Sequence, residues 1–437
     1  MKNKIVILSI ILAILTASSM IVLNSASGDT ENSWIQKAAM HVARGGLGVA
    51  AMNGKVYAIG GSTQTGWQPS MSGFVSTNEE YNPATDTWIY KAVMPTARAG
   101  FAIAVHDNKV YCIGGIAGYS QQGGYAVIGT NEVYDPTTNT WATKAPMPNA
   151  SGWITANIVN GKIYVTGGIP NGTLTQVYDP AIDTWTTKAS SPVEVSSYSS
   201  AIFDNKIYII GGWSLVPPNW GFSYLNHRYD PATDSWSAGI SAPSTVYAGA
   251  TGVTSGEMAP RRIYVLGVSG DNGIGYPAVL NQIYDPTSDR WANGAGISAT
   301  RLSFGVAVVD DLLYVIGGHT HNEIGYTEPV ASNVQYTPFG YGTPDPSYQP
   351  PAPSPSASPS PTSSQSPTPT PTPTASPSPQ TPSPSASPSP TASELQPASS
   401  PDSEQASLQT NVVYVAVAAA AIGAVAAVAV LARRKRR

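Results

Sequence analysis

The stretch Glu132-Val133-Tyr134-Asp135-Pro136-Thr137-Thr138-Asn139-Thr140-Trp141 decides how this chain reads. Its frame is a Tyr two places before a Pro, then a Trp five places on. The same frame returns as Tyr81-Asn82-Pro83 with Trp88, Tyr178-Asp179-Pro180 with Trp185, Tyr229-Asp230-Pro231 with Trp236 and Tyr284-Asp285-Pro286 with Trp291. Each copy comes after an apolar run that ends in glycine. The glycine pairs are Gly60-Gly61, Gly114-Gly115, Gly167-Gly168, Gly211-Gly212 and Gly317-Gly318, with Gly267-Val268 as an imperfect fifth in chain order. Counted on this signal there are six units. A period of roughly 50 residues marks a repeat architecture.

A single unit shows the structure each repeat builds. Phe101–Val105 is a short apolar run without polar alternation, which suits a strand buried on both faces. Asp107-Asn108 is a hairpin turn signal, and Val110–Ile113 is a second run rich in β formers. A variable, Gly-rich loop comes next. Glu132–Tyr134 and Trp141–Lys144 then read as two more strands around an Asp-Pro turn. Each unit is therefore expected to be a four-stranded antiparallel sheet. The large Tyr and Trp rings are expected to pack against the glycine pairs of neighbouring sheets, where the missing side chain admits close approach.

A glycine doublet, a spaced Tyr and a spaced Trp, repeated over residues 33–340, resemble the kelch repeat. The resemblance implies an all-β fold, a six-bladed kelch β-propeller. The fifth unit departs from the pattern, losing the second Gly and inserting Ser255–Arg262. The sixth unit reaches Tyr336-Thr337-Pro338 without a Trp strand. Trp34-Ile35-Gln36-Lys37 near the start has the spacing of the Trp strands in other units, such as Trp88 to Lys91. The last blade is thus expected to be closed by an N-terminal strand, which removes exposed edges.

The flanking segments read differently. Residues 1–27, with Lys2 and Lys4 before an apolar core, read as a signal peptide. Residues 341–410 are dominated by Pro, Ser and Thr and read as a disordered stalk. Residues 411–432 are apolar and long enough for a single transmembrane helix, and the basic tail 433–437 gives a positive-inside signal. These parts predict a single-pass cell-membrane protein with its propeller outside and its C-terminus in the cytoplasm. Residues 28–340 carry 15 Lys/Arg and 22 Asp/Glu, so no nucleic-acid footprint is present and no nucleic-acid partner is expected. Cys112 is the one cysteine, which excludes an intrachain disulfide and reads as a core filler.

Strand parity puts the Asp-Pro turns and the short hairpins on one face. The long, variable, aromatic loops fall on the other, where function is expected. Three groups converge on that long-loop face. Arg44, Arg98 and Arg301 hold one repeat position in blades one, two and six. Kelch resemblance implies an acidic-ligand role for arginines in this loop, and a guanidinium forks onto carboxylate. Trp67, Tyr119, Tyr125, Trp213, Trp220 and Tyr224 offer rings for stacking on sugars or apolar side chains. His319, His321 and Glu323 point the same way in an extended segment, a weak pattern for a metal. Asn149 and Asn171 begin N-glycosylation sequons.

The expected function is a binding module for a protein or glycan ligand, displayed on a stalk, with no cofactor and no catalytic residue assigned. Two alternatives stand beside it. One is a sugar-active kelch enzyme of the sialic-acid mutarotase type, using the arginines and Glu323. The other is a structural component of the cell envelope. A galactose-oxidase-like copper enzyme needs a Tyr–Cys crosslink, and Cys112 lies inside a strand, which argues against that chemistry.

Overall fold

The computed structural model describes residues 30–65, 73–119, 124–214, 221–269, 279–297, 299–321 and 327–346. The expected signal peptide 1–27, the stalk beyond 346, the span 411–432 and the tail 433–437 lie outside these residues. So do Trp67, Trp220 and Glu323.

Every strand-length apolar run is short, β-branched and bounded by Gly, Asn or Asp, so the chain folds as a series of hairpins. Among the described residues there are six four-stranded antiparallel sheets. The first runs Gly48–Met52, Lys55–Ile59, Asn78–Asn82, Thr87–Tyr90. The second runs Ala102–His106, Lys109–Ile113, Asn131–Asp135, Thr140–Lys144, and the third Ala156–Val159, Lys162–Thr166, Thr175–Asp179, Thr184–Lys188. The fourth runs Ser199–Phe203, Lys206–Ile210, Asn226–Asp230, Ser235–Ala238, and the fifth Tyr247–Val253, Ile263–Val268, Val279–Asp285, Arg290–Ile297. The sixth runs Gly305–Val309, Leu312–Ile316, Asn333–Thr337, and takes Ser33–Lys37 as its outermost strand. Trp34 pairs with Tyr336 and Gln36 with Val334 in that last ladder. The innermost strand of each sheet touches the innermost strand of the next, and Gly305–Val309 touches Gly48–Met52, so the series closes on itself as a β-propeller.

The Tyr–Pro–Trp frame is a clamp between neighbouring sheets. Each frame Tyr donates its hydroxyl to an Asp or Asn five residues on: Tyr81 to Asp86, Tyr134 to Asn139, Tyr178 to Asp183, Tyr229 to Asp234 and Tyr284 to Asp289, at 2.5–2.7 Å. That same side chain accepts the backbone N–H of Ala38, Ala92, Ala145, Ala189 or Ile240 on the preceding sheet. The frame Trp then donates its indole N–H to the carbonyl of that same residue, at 2.8–3.0 Å. Asn32, Trp34 and Tyr336 reproduce the clamp on Ala295 where the ends meet. Tyr and Trp of each frame lie ring to ring, with centroids 4.7–5.1 Å apart. All six clamp residues are left-handed, with φ of 50–55°, where Asp and Asn are the tolerated non-glycine residues.

This corrects the expected packing of the rings. They stack on each other at the turn end of the sheets, whereas the glycine pairs lie at the opposite end of the second strand. There the second glycine donates its N–H to the segment entering the next sheet: Gly61 to Arg98, Gly115 to Ser151, Gly168 to Val195, Gly212 to Val246 and Gly318 to Arg44, at 2.7–2.9 Å. A Cβ on Gly60 would sit 2.8 Å from the Arg98 carbonyl, which is why the doublet is glycine.

The fifth-sheet insert is held by buried Asp311, which accepts N–H bonds from Ser255, Met258 and Ala259. The chain leaving the sixth sheet crosses the same insert, with Gly342 N–H on Met258 and Asp345 N–H on Gly256. Both described ends of the chain therefore lie on the turn face, opposite the long loops.

Candidate functional site

Each entry segment turns into its innermost strand through one residue with positive φ. These are Gly46, Gly100, Trp153, Ser197, Ala248 and Ser303, with φ between 46° and 63°. Their backbones form a closed ring of hydrogen bonds. The N–H of Gly100 donates to Gly46, Trp153 to Gly100, Ser197 to Trp153, Ala248 to Ser197, Ser303 to Ala248 and Gly46 to Ser303, at 2.7–3.2 Å. The ring sits at the mouth of the central channel on the long-loop face.

Two cavities meet at this ring and share Gly46, Trp153, Ala248 and Ser303. The inner one, ≈ 230 Å³, is walled by the innermost strands. The outer one, ≈ 210 Å³, is the mouth, lined by Phe74, Tyr119, Tyr125, Trp153, Tyr247 and His319, among others. Tyr119 and Tyr125 lie 4.8 Å apart, and Tyr125 meets Trp153 edge-on at 6.4 Å. Tyr125 is 43% exposed. Burial lowers the pKa of the His319 imidazole, so it is neutral at physiological pH. Gly45 has to be glycine, because any Cβ there would collide with that imidazole.

Three of the sequence-predicted residues therefore come together at the mouth: Tyr119, Tyr125 and His319. Trp213 does not line it. It packs behind, 4.8 Å from Phe222 and 5.9 Å from Tyr247, and Tyr247 carries the cluster to the mouth. Tyr224 is exposed on its loop. Among the described residues no three His, Cys, Asp or Glu side chains form a metal-holding group. Asn149 is exposed, while the amide of Asn171 is engaged with the Ala150 carbonyl at 2.8 Å.

The arginines require a correction. Arg44 and Arg98 are fully buried. Arg44 bonds the Glu79 carboxylate at 2.5 Å and the Ala58 carbonyl at 2.8 Å. Arg98 bonds Glu132 at 2.6 Å and the Cys112 carbonyl at 2.9 Å. Burial pulls the Arg44 pKa down, opposed by the bond to Glu79. Burial alone would push the Glu79 carboxyl up, but Arg44 and the His41 backbone N–H outweigh it and hold the carboxyl below its ordinary range. These two guanidinium groups brace the entry segment against the third strand. An acidic ligand would have to break a buried ion pair to reach them. Arg301, 5% exposed, bonds only Ser332 at 2.9 Å among the described residues. The position matching Glu79 and Glu132 is Val334, and burial lowers the Arg301 pKa to about 10. None of the three arginines lines the mouth. The sugar-enzyme alternative placed chemistry on these arginines and on Glu323; the arginines are buried away from the mouth, and Glu323 lies outside the described residues.

Trp153 was not among the sequence candidates. Its signal is positional: the place held by Gly46 and Gly100 in the first two units is a Trp in the third.

The family model for the kelch motif matches residues 43–95, 97–148 and 195–239. Beta-scruin of Limulus polyphemus is 28% identical over 137 residues, covering 31% of this chain and 14% of that protein. Kelch repeat and BTB domain-containing protein 12 of Homo sapiens is 31% identical over 129 residues, covering 28% and 21%. Influenza virus NS1A-binding protein of Homo sapiens is 43% identical over 81 residues, covering 18% and 12%. The matched stretches thus span less than a quarter of the length of these relatives. Among solved structures, the one described as "Structure of YjhT" aligns with a TM-score of 0.55 at 18% identity, over 68% of this chain and 96% of that one. This likeness is one of fold.

Proposed function

We propose that this chain, which belongs to the kelch repeat family, is a six-bladed binding module that holds a macromolecular ligand at the mouth of its long-loop face. Kelch repeats point to an interaction module. The observation that carries the site is the aromatic mouth built on the closed backbone ring: rings half-exposed on a rigid frame are what recognition surfaces use. Burial keeps the His319 imidazole at the mouth neutral, and among the described residues no Asp, Glu, Lys or Arg lines it.

Display is inferred from the flanking sequence. A signal segment 1–27, a stalk 341–410, a span 411–432 and a basic tail 433–437 suit an exported, tethered protein. The described chain ends on the turn face, opposite the mouth. Protease treatment of intact cells should release the propeller, and a propeller left intact inside the cells would reject this placement. For the binding role, Ser62→Glu in the full chain places a charge in the mouth without touching the core. Loss of ligand capture with an unchanged unfolding midpoint is expected, and undiminished capture would count against the mouth.

A further inference from the structure

Resting on the mouth as the recognition site, we infer that its ligand is a neutral carbohydrate and that the indole of Trp153 is the platform for one pyranose ring. The first ground is strain. Trp153 adopts φ 55°, a region where a bulky side chain is a genuine outlier. The backbone ring does not require it, since Gly46, Gly100, Ser197, Ala248 and Ser303 close the same bonds with small side chains or none. A costly residue that the frame does not need is placed there for its side chain.

The second ground is orientation. A Cβ built on Gly100 would lie 2.8–3.2 Å from Cε3, Cδ2 and Cζ3 of the indole. One face of the ring therefore rests on Gly100. Trp153 lines both cavities, and the Tyr125 ring stands at 84° to the indole with centroids 6.4 Å apart. A half-buried flat aromatic face with a negative quadrupole suits the axial C–H face of a sugar.

The third ground is charge. Among the described residues no Asp, Glu, Lys or Arg lines the mouth. The six long connections, residues 60–77, 114–130, 167–174, 211–225, 269–278 and 317–332, contain Asp271, Glu323 and Glu328 as their only carboxylates and no Lys or Arg. The turn face is the reverse, with Lys109 on Asp135, Lys162 on Asp179, Lys206 on Asp230 and Arg262 on Asp285. A charged ligand group entering the mouth would be desolvated without a counter-charge. Ser62, Ser303 and neutral His319 offer instead the uncharged donors and acceptors that sugar hydroxyls pair with.

The test is calorimetric titration of the full chain with neutral hexasaccharides (cello-, laminari-, manno- and N-acetylchitohexaose) and with hexagalacturonate as the charged counterpart. A high-mannose glycoprotein, before and after enzymatic removal of its glycans, separates free saccharide from protein-borne glycan. At least one neutral sugar is expected to bind, with hexagalacturonate silent. Trp153→Gly is expected to weaken that binding about tenfold or more while the chain stays folded, since glycine accepts this φ. Tyr125→Ala, an exposed position, should weaken it in the same direction. Binding unchanged in both variants, preference for the acidic sugar, or glycoprotein binding that survives deglycosylation each overturns the inference. If no neutral sugar binds while capture still fails on Ser62→Glu, the ligand is not a carbohydrate but the mouth remains the binding site.

Discussion

A guanidinium removed from water has to be matched inside the protein, and the three arginines at one repeat position differ in how this is done. Arg44 and Arg98 each have a carboxylate in the third strand of their own sheet. Removing one partner of such a pair leaves a buried charge, so Glu79→Ala is expected to cost about 3–5 kcal/mol in urea unfolding. Glu79→Gln should cost less, because the amide oxygen still accepts from Arg44. Arg301 lacks the carboxylate, since Val334 stands where Glu79 and Glu132 stand. Restoring it by Val334→Glu should couple favourably to Arg301, and a double-mutant cycle with Arg301→Met should return about 1–3 kcal/mol. A coupling near zero would mean that the matched positions do not meet. The sequence displays all three arginines in register. What it could not display is that their side chains turn inward, because the partner glutamates come from a strand some 35 residues later. Trp153 was legible in the same alignment as the one large residue at a glycine position, but its meaning needed the φ angle.

At the scale of the element, the repeat frame was read correctly as punctuation and incompletely as packing. Tyr, Pro and Trp marked the turn between the third and outermost strands, and the four-stranded unit emerged from the alternation of apolar runs and turns. The missing member was the Asp or Asn between Pro and Trp, whose role appears only when the neighbouring sheet is in place. At Asp183 and Asp234 the tyrosine hydroxyl and a backbone N–H hold the carboxyl below its ordinary pKa. A carboxyl whose folded pKa is depressed stabilises the fold above the unfolded pKa of about 3.9 and loses that contribution as pH falls through the folded value. Acid unfolding is thus expected below about pH 4, with the clamps among its causes. Asn139 and Asn32 make the same clamp without titrating. Asp183→Asn should therefore leave stability at pH 7 nearly unchanged and reduce the loss on acidification. Asp183→Ala should cost about 1 kcal/mol, because the Tyr178 hydroxyl loses its acceptor while water can take over the exposed Ala145 N–H. Equal midpoints for the Asn and Ala variants would show that the clamp carries no energy.

For the molecule as a whole, the ends matter most. The pairing of Trp34 with Tyr336 could be expected from the chain alone, because the sixth unit lacks a Trp strand and the first ordered segment supplies one. Trp34→Ala should lower the unfolding free energy by about 2–3 kcal/mol, below the figure for a core Trp because Trp34 is part-buried, although the site is some 300 residues from the sheet it completes. The face carrying the loops was also legible from strand parity, since each unit has an even number of strands. The composition of the mouth was not. It is assembled unevenly, mostly from the first, second and sixth units with Trp153 from the third and Tyr247 from the fifth, around a ring of backbone hydrogen bonds that leaves no trace in side-chain identity. The most direct check of recognition at the mouth is site-specific photo-crosslinking in the full chain on membranes. A photoreactive residue replaces either Tyr125 at the mouth or Ile182 on the turn face, which is 67% exposed and equally free to react. The ligand should be captured from position 125 and not from 182. Capture from 182 alone, or equally from both, would contradict recognition at the mouth.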